Sequence, residues 1–423
     1  MGRFLLFSVV LALLTLAIDG YVYLNWRRFA QGRPLLRWTL AIYRILLILM
    51  PLTLPAYFLL FRWWEVEPKL ARALFLGFWA VYYVPKVPIA FVLAVKDSFR
   101  GLRYVLRRLL PQSQPASTPP STPPSTQPTQ RMSRAAFLQK LGWAAAALPF
   151  VAVGHGVLRT LYDFVVYRVA LPIPNLPSAL DGLTIGQLSD LHAGSFFSPQ
   201  PALEAVELLL AQKPDLIVLT GDYVNHDADE LPIIIPALRQ LQAELGVWGC
   251  LGNHEHYAHT PDVVRRLHEQ TPLRLLINAH HTFYIDGARL HLIGTDNTGF
   301  RQRFADLPKA LHGLDADPHG EEFRLLLAHD PTFWDLEVRP HYPDMDLMLC
   351  GHTHGGQVGI ELGPLRWGLA NLVYPRWAGL YLEPSSAPRG RQYLYVNRGL
   401  GTVGPPLRLG IRPEITLITL RRA

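Results

Sequence analysis

Cysteine is almost missing from this chain of 423 residues: Cys250 and Cys350 alone occur, each closing a short apolar run, where a thiol serves as a small buried hydrophobe. A metal site here has no thiolate to draw on and must be built from nitrogen and oxygen. Charge is scarce too, at 17% against 50% hydrophobic residues, so either the core is large or part of the chain lies in lipid. Acidic residues are fewest where the apolar runs are longest. Residues 1–159 hold 4 Asp and Glu against 19 Lys and Arg, and the remainder holds 29 against 21. The overall charge of +7 therefore joins a basic membrane part to a mildly acidic soluble part. Because the positive excess flanks apolar spans instead of covering the soluble part, long nucleic acid is excluded as the partner.

What is present in the first part is lipid-compatible sequence. Phe4 to Leu24, apolar apart from Asp19, is long enough to cross a bilayer and too long for a signal peptide. Trp38 to Phe61 reads as a second span and Ala73 to Val95 as a third, whose Lys86 between Pro85 and Pro88 needs a buried or interfacial partner. Residues 1–95 are thus expected to form three transmembrane helices. Residues 96–134 are expected to combine a basic amphipathic helix, with Lys96, Arg100, Arg103, Arg107 and Arg108 set among apolar residues, and a disordered Pro/Ser/Thr-rich linker at 111–130. A fourth span occupies 135–158. The stretch Ser133-Arg134-Ala135-Ala136-Phe137-Leu138 resembles a twin-arginine export signal but has Ala135 where the second arginine belongs, and reads as a plain anchor. Residues 159–179 read as a connector.

From residue 180 onward short apolar strands alternate with loops, and five of these strands run out into chemistry. Asp190-Leu191-His192, Gly221-Asp222, Gly252-Asn253-His254-Glu255, Ala328-His329-Asp330 and Gly351-His352-Thr353-His354 each follow an apolar segment. Strand ends are where an α/β fold gathers its reactive groups. Asp190, His192, Asp222, Asn253, His329, His352 and His354 are together enough N and O donors for two ions of Mn, Fe or Zn. Strand, helix, strand alternation through a strand at Asp215 to Leu219 implies parallel pairing, and the sparser helices later in the chain imply a second, more antiparallel sheet.

In order, these blocks read D-x-H, G-D, G-N-H-[D/E], H, G-H-x-H, and on them the chain resembles the calcineurin-like metallophosphoesterases. Asn397-Arg398-Gly399-Leu400-Gly401-Thr402, Pro413-Glu414-Ile415-Thr416-Leu417 and Gly355-Gly356-Gln357 look more narrowly like the membrane-tethered YkuE/YaeI-type branch. The resemblance implies an α/β two-sheet sandwich flanked by helices, a four-layer metallophosphoesterase domain at 180–423, preceded by the membrane helices. It implies that Asp190, His192 and His354 hold one metal, that Asn253, His329 and His352 hold the other, and that Asp222 bridges them. It makes His254 a catalytic residue beside Asp222, and it implies hydrolysis by a water activated between two cations. Glu255 and Asp330 are expected to orient imidazoles, while His226, His256 and His259 are candidates to line the pocket. Trp367, Trp377 and Tyr381 are candidates to grip a substrate, and Arg398 to meet a phosphate.

The implied substrate is a phosphodiester or pyrophosphate, and the anchoring points to an amphiphilic one at the bilayer, such as a UDP-glucosamine lipid. Two other readings share the residues: a metal-binding membrane signalling or scaffold protein without turnover, and an extracellular nucleotidase. Basic residues concentrate between spans one and two (Arg27, Arg28, Arg33, Arg37) and between spans three and four, which by the positive-inside rule places the domain after span four on the extracytoplasmic side of the cytoplasmic (inner) membrane. Relatives that hydrolyse acylated UDP-glucosamine act on the opposite side, which conflicts with that orientation. A reporter active only in the cytoplasm, fused after Ala423, should stay silent while a periplasm-active reporter at the same point is active; the reverse result overturns the orientation.

Overall fold

The computed structural model describes residues 2–63, 69–109, 133–299, 302–314, 321–363, 365–387 and 389–423, so the Pro/Ser/Thr-rich linker expected at 111–130 lies outside the described residues. The chain divides into two compact units, Met1–Gly154 and His155–Ala423. In the first, helices α1 (Gly2–Ala30), α2 (Arg37–Trp63), α3 (Lys69–Tyr83), α4 (Lys86–Leu109) and α5 (Arg134–Ala145) follow in order, and α6 (Leu148–Leu158) runs on into the second. Among the described residues four stretches are long and apolar enough to cross a membrane: Val9–Ala30, Pro34–Thr53, Leu74–Leu109 and Ala136–Leu158.

Two details differ from the sequence reading. The basic segment after Lys96 is no separate helix, because Phe99, Leu102, Leu106 and Leu109 continue the helical spacing of α4 without a proline to stop it. The third and fourth spans are each broken, at Val84–Pro85 and at Ala146–Ala147, where Pro85, Pro88 and Pro149 remove backbone donors.

Two charges deep in the apolar spans, Asp19 and Lys86, meet each other. Lys86 Nζ lies 2.5 Å from Asp19 Oδ1, and both are buried. Tyr43 donates its hydroxyl to Asp19 Oδ1 at 2.8 Å and Tyr82 to Oδ2 at 3.0 Å, while Lys86 Nζ sits 3.1 Å from the Tyr82 ring centroid. One carboxylate thereby ties α1 to α2, α3 and α4.

The second unit is built from two sheets. The first has the order β1 (Val165–Ile173), β16 (Glu414–Arg422), β2 (Thr184–Leu188), β3 (Leu216–Thr220), β4 (Val247–Cys250), β5 (Leu273–Leu275). Strands β2 to β5 run parallel, and β16 is antiparallel to β2 and parallel to β1 over nine residues. The second sheet has the order β14 (Gly379–Pro384), β15 (Arg391–Val396), β11 (Leu347–Cys350), β10 (Glu322–Leu327), β7 (Ala288–Gly294), β6 (Ala279–Ile285). Two small pairs stand apart, β8 (Thr298–Gly299) with β9 (Gln302–Arg303) and β12 (Gly359–Leu362) with β13 (Leu365–Gly368).

Period-two alternation sets the layers. Leu216 and Val218 point into the core between the sheets with Leu325, Leu327, Leu347 and Leu349. Ile217 and Leu219 point outward against α7 (Gln200–Leu210) and α9 (Thr260–Gln270), with α8 (Ile235–Leu238) beside them. Leu326, Met348 and Leu394 pack on the far side against Leu307 and Ala310 of α10 (Leu307–Leu311) and against Trp334. The result is helices, sheet, sheet, helices. The second sheet is less antiparallel than expected: β7, β10, β11 and β15 are parallel, and antiparallel pairing is confined to its edges β6 and β14. Its crossovers are short helical turns that carry proline, such as α10 and 334–341, which leave little periodic signal. The supposed connector at 159–179 contains β1, whose Val165, Val166, Val169 and Ile173 favour a strand that neighbouring prolines disguise.

Asp19→Leu leaves the Lys86 ammonium buried without its carboxylate and should destabilise the full-length protein in detergent by about 3–5 kcal/mol. Adding Lys86→Met should recover most of the thermal unfolding midpoint, and a single variant as stable as the double would overturn this account.

Candidate metal centre

Each strand that carries candidate ligands ends at the same side of its sheet, so the loops after β2, β3, β4, β10 and β11 converge. Main-chain bonds stitch them together: the N–H of Asp190 donates to Gly221 O at 3.0 Å, that of His192 to Asp222 O at 3.0 Å, and that of Gly351 to His329 O at 3.0 Å. Gln187 reaches across, donating to Thr220 Oγ1 and to the Cys350 carbonyl, both at 3.0 Å.

Asp190, His192, Asp222, His352 and His354 all adopt positive φ, between 46° and 71°. Residues with a Cβ pay for that conformation, and it persists only where the surroundings enforce it. Here it turns each side chain sharply off its strand end toward a common point. Gly221 prepares the turn at φ 85°, and a Cβ there would meet the Gly252 backbone and the His329 ring.

Three groups of side chains lie with ligand atoms within 4.8 Å of one another: Asp190, His192 and His354; Asp222, His329 and His352; and His192, Asp222 and His254. Asp222 Oδ2 stands at the middle, 2.9 Å from His329 Nε2 and 3.4 Å from His192 Nε2. Asp190 Oδ1 is 3.3 Å from His354 Nε2 and 4.0 Å from His329 Nε2, and its carboxylate accepts the His352 N–H at 3.0 Å. Imidazole nitrogens also face each other, His192 Nε2 to His354 Nε2 at 3.1 Å and His329 Nε2 to His352 Nδ1 at 3.3 Å. Asn253 is buried on the loop that also carries His254.

The groups behind these side chains decide which nitrogen faces inward. His329 Nδ1–H donates to the Thr220 carbonyl at 2.7 Å, which leaves the Nε2 lone pair for the centre. His254 Nδ1 is likewise held by the Asn225 carbonyl at 2.6 Å. His352 turns Nε2 to the Tyr374 hydroxyl at 2.8 Å and presents Nδ1. Lone pairs and carboxylate oxygens converging in a buried volume fit hard or borderline divalent cations. Without a cation a proton takes that place. Burial opposes ionisation at both groups, but Asp222 outweighs it and raises His329 to about 10, and His329 in return holds the Asp222 carboxyl well below its ordinary value. Burial pushes His254 down to about 4 and His354 well below an ordinary imidazole, so both rings are neutral.

Glu255 orients main chain and no imidazole. Its carboxylate accepts the N–H groups of Gly252 at 2.7 Å, Asp222 at 3.0 Å and Tyr223 at 2.7 Å, gripping the turn that delivers Asp222. Burial and then Asp222 push it up to about 7, against the pull of those donors. Asp330 lies 3.6 Å from His352 Nε2 and also caps Thr332. Of the other histidines, His226 has its ring 5.9 Å from that of His254, whereas His256 pairs with Asp296 at 2.7 Å and His259 with Asp262 at 3.1 Å. Trp377 is buried, its N–H accepted by the Tyr381 hydroxyl at 2.9 Å, so both close a core. Arg398 is bound to Glu361 and Glu414.

Two residues at the centre had no sequence signal. Tyr374 belongs to no pattern and reaches His352 only through the loop after β13. Arg408 is fully buried, donates Nη2 to the carbonyls of Arg398, Gly399 and Gly401, and stands 3.5 Å from His354 Nδ1.

Compared with known proteins, residues 2–161 match the family described as Probable Calcineurin-like phosphoesterase, transmembrane domain, and residues 183–356 match Calcineurin-like phosphoesterase. The chain is 30% identical over 309 residues to Uncharacterized metallophosphoesterase YkuE of Bacillus subtilis, covering 69% of this chain and 99% of that one. It is 30% identical over 296 residues to Phosphodiesterase YaeI of Escherichia coli, covering 68% and 99%. With the Bos taurus Transmembrane protein with metallophosphoesterase domain it shares 31% over 284 residues, 63% of this chain and 60% of that one.

A Cβ at Gly351 would run into Ser189 Oγ and Asp190 Oδ2. Gly351→Ala, which removes no ligand, should therefore weaken metal binding about 10–100-fold, as displacing a ligand's support does. Calorimetric titration with Mn²⁺ reads this, and unchanged affinity would show that Asp190 is free to move.

Proposed function

The chain belongs to the calcineurin-like phosphoesterases, in the membrane-tethered YkuE/YaeI-type branch, and from that premise we propose that it is a membrane-anchored dinuclear-metal hydrolase of a phosphodiester or pyrophosphate bond. The observation that carries this reading is the position of Asp222 Oδ2 between His192 Nε2 and His329 Nε2, one buried carboxylate oxygen shared by two groups of donors. Asp190, His192 and His354 are the residues to hold one cation, Asn253, His329 and His352 the other, with Asp222 common to both. When bound, two such cations supply Lewis acidity at phosphorus and make a nearby water acidic enough to attack at neutral pH.

The protein's own part is placement. The Asp190 and Asp222 carboxyl groups are buried, so they face a cation with no solvent between to dilute the interaction. His254, whose Nδ1–H is held by the Asn225 carbonyl, turns Nε2 to the substrate, where the charge of a phosphate oxygen favours a second proton on the ring and Nε2–H then donates to the phosphoryl or leaving oxygen. Tyr374 holds His352 from behind, and Glu255 holds the Asp222 turn. The donor set suits Mn, Fe or Zn. Tethering favours an amphiphilic phosphoester, such as a lipid or cell-envelope intermediate, and the basic loops favour an extracytoplasmic domain.

With Mn²⁺ added, the full-length protein should hydrolyse bis-p-nitrophenyl phosphate. Asp222→Ala should abolish turnover together with metal binding, and His254→Ala should lower kcat about 10²–10⁴-fold with metal content kept. Wild-type turnover in either variant overturns the mechanism.

A further inference from the structure

Strands β12 and β13 form a hairpin outside both sheets, with Ile360 opposite Trp367, Glu361 opposite Arg366 and Leu362 opposite Leu365. Opposed residues, and those two apart on a strand, share a face. One face is therefore Ile360, Leu362, Leu365 and Trp367, and the other is Glu361 and Arg366. The usual polarity is inverted. On the charged face the partly buried Glu361 turns inward, accepting from Arg366 Nε at 3.2 Å and from Arg398 Nη2 at 2.6 Å, while Arg366 keeps its end in solvent. The apolar face is open to solvent, at 48% exposure for Ile360, 69% for Leu362, 59% for Leu365 and 40% for Trp367. Exposed apolar side chains continue along the chain with Leu369, Leu372 and Val373, the last two at 72%. The next residue is Tyr374, whose hydroxyl holds His352.

A run of seven exposed large hydrophobes marks a surface that something covers. The Trp367 indole is the sole hydrogen-bonding group among those seven side chains, whereas a protein interface carries a hydrogen bond for about every 100–200 Å². A surface of leucine, isoleucine and valine with one tryptophan matches the lipid–water boundary, where indoles concentrate. A bilayer is tethered to the same chain through its apolar spans.

We propose that the apolar face of the β12–β13 hairpin, with Leu369, Leu372 and Val373, inserts into the bilayer surface and delivers the metal centre to phosphoester headgroups of lipids that stay in the membrane. The substrate half rests on the phosphoesterase reading; the insertion half does not.

The test uses the full chain in nanodiscs of phosphatidylcholine and phosphatidylglycerol. Cys250 and Cys350 are buried, so an environment-sensitive dye placed through Leu365→Cys reports on the hairpin alone, with Glu269→Cys as a solvated control. At 365 the emission should shift to the blue and be quenched by lipids bearing a shallow nitroxide, and at 269 neither should occur. A water-like, unquenched dye overturns the proposal. So does a dye shielded from water yet unquenched, which would mean that protein covers the face. In the Leu362→Ser, Leu365→Ser double variant, hydrolysis of a phospholipid in the nanodisc should fall about tenfold or more while soluble bis-p-nitrophenyl phosphate is hydrolysed as before. Equal loss on both substrates overturns the delivery role. A wild type inert toward both sinks the phosphoesterase reading, and the quenching still decides insertion.

Discussion

The structure depends on one buried carboxylate having to serve partners from two separate sheets. Asp222 leaves β3 through a glycine at φ 85° and itself sits at φ 56°, so its carboxylate swings off the strand axis into the space between the strand-end loops of the two sheets. That posture is costly, and Glu255 holds it by accepting four main-chain N–H groups of the surrounding loops. Around this point the remaining donors are ordered by their own anchors: Thr220 O behind His329, Asn225 O behind His254, Tyr374 behind His352. The layered fold keeps the two strand-end edges in register, and the local strain aims the side chains.

Much of this was visible in the amino-acid sequence because chemistry interrupts hydrophobicity there. Leu216 to Thr220 must be buried, and Gly221-Asp222 cannot continue a strand, so the carboxylate had to lie at a strand end. The same reasoning reached His329, His352 and His354. It could not reach Tyr374 or Arg408, since both act through loops whose path depends on packing elsewhere. Glu255 looked like an imidazole partner because it follows His254, yet the turn points it back at the main chain. β1 was hidden by Pro172, Pro174 and Pro177, and the parallel character of the second sheet by crossovers too short to leave a period. In the first unit, Asp19 and Lys86 each looked out of place, and only three dimensions showed that they are one interaction.

Both units break the ordinary rule of polarity, in opposite senses. The membrane unit hides a charge pair among apolar helices, where Tyr43 and Tyr82 complete the solvation of Asp19. The second unit does the converse at β12–β13, holding a partly buried Glu361 against Arg398 and turning leucines outward. In each case the inverted polarity works because ionic partners are satisfied internally, which leaves the outer surface free to be as apolar as its surroundings require.

The strand order carries a further implication for how the protein is made. β16 lies between β1 and β2, so residues 414–422 fill a slot inside a sheet whose other members all lie at residues 165–275. Until that last strand emerges from the ribosome, β1 and β2 have bare edges toward each other. Contacts of such long sequence separation close slowly. The first sheet therefore closes only once residues 414–422 are in place, and the loops that carry Asp190 and Asp222 gain their final support late in folding.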